Sequence, residues 1–150
     1  MAAHYLGFQV NPSLEIGLYE AVVFNRDNGF ELQYLNPLIF YRAIEQAVGS
    51  PDNVLLGLDW KADLWHRMQW YGQLVFDEFK VDELVFDPNG WWGNKFGFQT
   101  GLKYLDLFGV DHLDIQVEYN QVRPYTYTHR DSLASYSHYN QPLAHPLGAN

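Results

Sequence analysis

The sequence predicts an all-β fold: an antiparallel meander of about six strands belonging to a larger transmembrane β-barrel, with one short helix in a long loop. Three observations carry this prediction. Apolar and polar residues alternate with period two over stretches of about ten residues, the length of a tilted strand crossing a bilayer. Short turns and long loops alternate regularly between those stretches. Aromatic residues make up 17% of the chain, with 11 Tyr, 10 Phe and 5 Trp, and Tyr and Trp favour places that are apolar on one side and wet on the other.

The strands follow in order. Residues 5–10 set Leu6, Phe8 and Val10 against Tyr5, Gly7 and Gln9, and Asn11-Pro12-Ser13 turns the chain. Residues 14–24 set Leu14, Ile16 and Leu18 against Glu15, Gly17 and Tyr19. The clearest run, 54–64, places Val54, Leu56, Leu58, Trp60, Ala62 and Leu64 on one face and Leu55, Gly57, Asp59, Lys61 and Asp63 on the other. After a turn at Trp65-His66-Arg67, residues 68–77 put Trp70, Gly72, Leu74 and Phe76 opposite Gln69, Tyr71, Gln73, Val75 and Asp77. Residues 95–105 oppose Phe96, Phe98, Thr100, Leu102 and Tyr104 to Lys95, Gly97, Gln99, Gly101 and Lys103. A turn containing Gly109 leads to residues 113–122, with Leu113, Ile115, Val117 and Tyr119 opposite Asp114, Gln116, Glu118 and Asn120. Trp60, Trp70, Tyr104 and Tyr119 are expected near strand ends, where an interfacial aromatic girdle would sit.

The long segments cover Asn25 to Asn53, Glu78 to Asn94, and 123–150. In the first, Asn36 can cap a helix over 37–48, Pro37 suits its first turn and Gly49 its end. Short turns on one side and long loops on the other are the asymmetry of outer-membrane barrels. Six such strands cannot close a barrel, because the smallest have about eight and lipid tolerates no open edge. The N-terminus shows no signal-peptide pattern and the last residues read as a loop, so the expectation is a middle piece of a larger barrel.

Composition narrows the partners. A net charge of −9 with only 9 Lys and Arg argues against nucleic acid, whose phosphates need clustered cations. There are no cysteines, which excludes disulfides and thiolate chemistry. No apolar run is long enough for a membrane-crossing helix.

Certain stretches resemble a known family. Leu14-Glu15-Ile16-Gly17-Leu18-Tyr19-Glu20-Ala21-Val22 is similar to a strand of the Wzi-like capsule assembly proteins of Bacteroidetes-type bacteria. So is the stretch from Phe108 to Asn120, continuing into Arg123-Pro124-Tyr125-Thr126-Tyr127, and the closing stretch from Asn140 to Asn150 resembles a loop of the same family. The resemblance covers most of the chain but includes no catalytic signature. It implies an outer-membrane barrel of about eighteen strands, acting as a lectin that binds and anchors capsular polysaccharide at the cell surface, without enzymatic activity. The chain departs from that pattern in being much shorter.

The candidate glycan-binding residues are Trp91, Trp92, Tyr125, Tyr127, Tyr136, His138, Tyr139 and Asn140, because flat rings suit the apolar side of a pyranose and amides suit its hydroxyls. The same residues could instead fold the loop back as a plug, and Trp91 and Trp92 could be interfacial anchors. Asp59, Lys61, Asp63, Gln73, Lys95, Gln99, Lys103, Gln116 and Glu118 are expected to face a wet lumen. His129, His138 and His145 match no metal-ligand spacing, and neither metal nor cofactor is expected. Asp59 and Asp63 lie about 13 Å apart along one strand, against the roughly 5 to 9.5 Å that glycosidase carboxyl pairs need. The resemblance implies capsular or other surface polysaccharide as a partner, and the barrel pattern implies outer-membrane lipid. Two other readings stay open: a channel or structural barrel for secretion or gliding, and a soluble lipocalin-like barrel holding an apolar ligand.

Overall fold

Ladder hydrogen bonds join six strands into one antiparallel sheet in the order of the sequence. They are β1 (Ala2–Asn11), β2 (Leu14–Val23), β3 (Asn53–Leu64), β4 (Met68–Asp77), β5 (Lys95–Tyr104) and β6 (Ile115–Val122). A two-residue ladder pairs β7 (Ser137–His138) with β8 (Gln141–Pro142). The structure, a computed structural model, describes residues 1–25, 31–35, 52–77, 95–129, 132–138 and 141–143. The helix expected over 37–48 lies outside the described residues, as do Trp91, Trp92, Tyr139 and Asn140. The described part of the first long connection forms a 3-10 turn, Leu32–Leu35.

Every alternation read from the sequence survives in the register. Leu18 stands opposite Leu6 and Leu58, Leu58 opposite Leu74, and Leu74 opposite Phe98. Because paired residues point to the same side, this row and its neighbours build one apolar face. Two boundaries move by more than one residue. Strand β1 begins at Ala2 because Ala2, Ala3 and His4 pair with Val22, Ala21 and Glu20. Strand β6 begins at Ile115, later than expected, because Leu113 and Asp114 belong to the turn: Asp114 Oδ1 accepts the Asp106 amide at 3.1 Å, and the Leu113 carbonyl accepts the Leu107 amide at 2.7 Å.

The short connections have specific turn chemistry. Asn11 Oδ1 accepts the Ser13 amide at 2.9 Å, closing a turn at Pro12-Ser13. Trp65 and His66 both adopt left-handed backbone (φ 47° and 62°), the pairing of positive angles that matches the twist of a tight hairpin. A ten-residue strand is about 33 Å long and projects to about 25 Å at a 40° tilt, the height of a barrel's apolar band.

The two faces are covered differently. On the apolar face, Tyr34 packs on Val22 and Val54 at the long-loop end, with Phe24 beside it at a ring separation of 5.0 Å. The Tyr34 hydroxyl donates to Asp52. Full burial of one valine contributes about 1.5–3 kcal/mol relative to exposure. Toward the short turns the same face is open among the described residues: Leu6, Phe8, Leu18, Ile115 and Val117 are all exposed, Val117 at 64%. His4 and Glu20 also occupy this face, directly opposite one another near its covered end.

Among the described residues, the aromatics of the apolar face touch one another across the strands. Trp60, Gly72, Thr100 and Tyr119 share one register row through the sheet. Trp60 contacts Trp70 (5.3 Å between centroids) and Phe98 (6.4 Å), and Phe98 contacts Tyr119 (6.4 Å). These rings form a ridge across four strands; Tyr104 ends β5 and Trp70 is the third residue of β4, both beside the short turns. Trp60 has room because Gly72 opposite it has no side chain, and a Cβ there would strike the indole.

Candidate functional site

The opposite face carries the polar residues, and the register brings all nine of the expected polar-face residues to it. One row runs Gly17, Asp59, Gln73, Gln99 and Asn120; another runs Asp63, Gln69, Lys103 and Gln116. Lys61, Glu118 and Lys95 fall on the same side.

Tyrosines laid across glycines organise this face. Tyr5 leans over Gly17, Tyr19 over Gly57, and Tyr71 over Gly101; a Cβ at any of the three glycines would overlap the ring. Each ring therefore spans one strand and reaches the next. Tyr5 Oη donates to Asp59 Oδ1 (3.2 Å), Tyr19 Oη to the Leu74 carbonyl (3.4 Å), and Tyr71 Oη to Glu118 Oε2 (2.8 Å). A ring lying on the backbone presents its other π-face away from the sheet.

The remaining polar groups are knitted together. Gln73 Nε2 donates to Gln99 Oε1 (2.7 Å), Gln69 Nε2 to Asp63 Oδ1 (2.9 Å) and Asn120 Nδ2 to Glu118 Oε1 (2.7 Å). Gln116 Nε2 donates to the Tyr71 hydroxyl. Lys61 pairs with Glu15 at 2.9 Å, and Lys103 lies over the Tyr71 ring at 5.6 Å. These bonds are exposed to water, where each contributes modestly, but as a network they fix where every amide points.

The segment after β6 folds back over this face. Arg123 continues the pairing by donating its amide to the Phe96 carbonyl (3.0 Å), and Thr126 Oγ1 donates to the Arg123 carbonyl at 2.6 Å. Tyr125 takes a left-handed conformation (φ 64°) and stands out into solvent. Tyr127 turns the other way: it is 3% exposed, with its hydroxyl over Gly97. Its ring meets that of Tyr136 at 6.0 Å, and its carbonyl accepts the Tyr136 amide at 3.0 Å. Lys95, buried beside Asp77 (3.8 Å), donates to the Thr128 carbonyl at 2.6 Å and ties the segment to β5.

Between this segment and the sheet lies a cavity of about 480 Å³. Residues of all six strands line it, from Tyr5 on β1 to Asn120 on β6. Strands about 4.8 Å apart would set the edges of a flat six-stranded sheet about 24 Å apart, so the sheet curls with its polar face concave. The volume falls within the roughly 300–1,000 Å³ of small-molecule sites. Its walls combine Tyr5, Tyr19, Tyr127 and Tyr136 and the amides of Gln73, Gln99 and Asn120 with aliphatic residues that include Ala21, Leu55, Val75 and Val122. The rings can stack on, and the amides hydrogen-bond to, a polyhydroxylated ligand.

The cavity joins two sets of residues that the sequence kept apart. Tyr127 and Tyr136 of the candidate glycan set meet Gln73 and Gln99 of the polar-face set. Tyr125 faces away from them, and His138 enters the small ladder through its backbone opposite Gln141. Tyr5, Tyr19 and Asn120 join the site without having been candidates; their place in the alternation was visible, their convergence was not. Among the described residues, no group of three or more His, Asp or Glu side chains could hold a metal ion, and no helix is long and apolar enough to cross a membrane, which leaves crossing by strands open. Comparison with protein-family models, curated proteins and solved structures finds no match to this chain.

Proposed function

We propose that this chain is part of the wall of a bacterial outer-membrane β-barrel that binds capsular or other surface polysaccharide at the cell surface, without enzymatic activity. The observation that carries the reading is the division of the sheet into an apolar face open toward the short turns and a concave polar face holding the Tyr- and amide-lined cavity. A soluble ligand-binding barrel would turn its apolar set inward, whereas the cavity here lies on the polar side. The resemblance of Leu14–Val22 and Phe108–Asn120 to Wzi-like capsule assembly proteins points to the same role. The edges β1 and β6 each have one strand partner among the described residues, and further strands of the parent barrel would cover them.

The test is polysaccharide binding by the full-length protein in detergent, with Tyr136→Ala and Gln99→Ala as variants. Binding by the native protein, reduced in both variants, is expected. A protein that binds no surface polysaccharide while conducting ions in planar bilayers would replace this reading with a channel.

A further inference from the structure

The charges around the cavity specify more than sugar. Resting on the polysaccharide reading, we propose that the cavity accepts uncharged saccharide units and turns away those bearing carboxylate or sulfate.

An anionic sugar needs a cation to offset the loss of its hydration. Among the described residues, none lining the cavity is Lys or Arg. The cations nearby are committed elsewhere. Lys61 is paired with Glu15, Lys95 with Asp77 and the Thr128 carbonyl, and Lys103 lies over Tyr71. Arg123 stacks on Phe96 (5.7 Å), a residue of the apolar face, and Arg67 reaches the Asp106 carbonyl among the short turns. These are the five Lys and Arg among the described residues.

The groups directly behind the lining are acids. Tyr5 donates to Asp59 and Asn120 donates to Glu118, so two carboxylates stand one hydrogen bond behind the cavity wall. A uronate in the cavity would face like charge with no Lys or Arg among the described lining residues to compensate it, a juxtaposition that costs affinity. A neutral pyranose meets no such penalty: it can stack on the free faces of Tyr5 and Tyr19 and exchange hydrogen bonds with Gln73 and Gln99. This also removes the difficulty posed by a chain of net charge −9, since an uncharged polymer is not repelled by it.

The test uses the full-length protein in detergent with neutral oligosaccharides (glucose, mannose and galactose hexamers) and acidic ones of equal length (oligogalacturonate, sulfated galactan), measured by calorimetry at low and high salt. At least one neutral hexamer is expected to bind about ten-fold or more tighter than either acidic one. Gln99→Arg, which sets a cation in the cavity wall, is expected to close or reverse that gap in a salt-dependent way. Acidic oligomers binding the native protein as tightly as neutral ones would overturn the selectivity and leave polysaccharide binding standing. If neither class binds, the polysaccharide reading fails, and the selectivity with it.

Discussion

Tyr19 lies across Gly57, its direct partner on the neighbouring strand, and its hydroxyl reaches the Leu74 carbonyl one strand further on at 3.4 Å. The contact is possible only because residue 57 has no side chain. Gly57→Ala is expected to displace the ring and destabilise the protein by about 1–3 kcal/mol, the usual cost of overpacking. The double variant Tyr19→Ala/Gly57→Ala should cost less than the sum of the two single changes, because the clash is gone. Urea unfolding of the four proteins in detergent measures both quantities. Strict additivity would mean that ring and glycine do not act as a unit.

Lys95 and Asp77 form a buried pair that anchors the segment folded over the polar face. Their side chains are 11% and 0% exposed. Lys95→Met should remove the cation that stands 3.8 Å from the buried Asp77 carboxylate, at a cost of up to about 3–5 kcal/mol. Lys95→Met/Asp77→Leu should cost less, because neither charge remains. Since Lys95 also holds the Thr128 carbonyl, chymotrypsin should cut after Tyr125 or Tyr127 faster in Lys95→Met than in the native protein. An unchanged cleavage rate would show that the segment is held by other contacts.

The hairpin at Trp65-His66 offers a stabilising change. A non-glycine residue in the left-handed region costs about 1–2 kcal/mol, partly offset in glycine by the backbone freedom lost on folding. His66, with φ 62°, should therefore gain about 0.5–1 kcal/mol of stability on change to Gly. Thermal unfolding of the variant checks this, and a fall in stability would reveal a role for the imidazole that the structure does not display.

How far the sequence foretold this arrangement follows from what each feature depends on. The faces were legible because alternation is local: Trp60 and Asp59 must point oppositely whatever lies beside them. The short turns were legible from Asn11-Pro12-Ser13 and Gly109. The tyrosine-on-glycine contacts were not, because Tyr19 meets Gly57 only once β2 and β3 are set in register, across a connection of nearly thirty residues. The cavity depended on that register five times over, and on a reversal at Tyr125 that places Tyr127 inward and leaves Tyr125 outside. A left-handed tyrosine carries no signal in composition or period. The aromatic ridge was not legible for the same reason, since the row holding Trp60 and Tyr119 exists only after pairing.

Arginine distinguishes the surroundings of the two faces. Val117 is exposed, so on a surface bathed in water Val117→Arg would alter stability by no more than about 0.5 kcal/mol. Against hydrocarbon it should cost about 2–4 kcal/mol. Its neighbour Gln116 points to the polar side, and Gln116→Arg should be close to neutral. Unfolding from lipid vesicles compares the two.

The most direct measurement follows β6 residue by residue. The chain has no cysteine, so single cysteines at positions 115 to 120 can carry a spin label in the full-length protein once any cysteine outside the chain has been replaced. In lipid vesicles, labels at 115, 117 and 119 should collide with dissolved oxygen, which concentrates in hydrocarbon, and labels at 116, 118 and 120 with a water-soluble nickel chelate. Labels at 115, 117 and 119 that meet the chelate as readily as their neighbours would contradict the assignment of the apolar face to lipid.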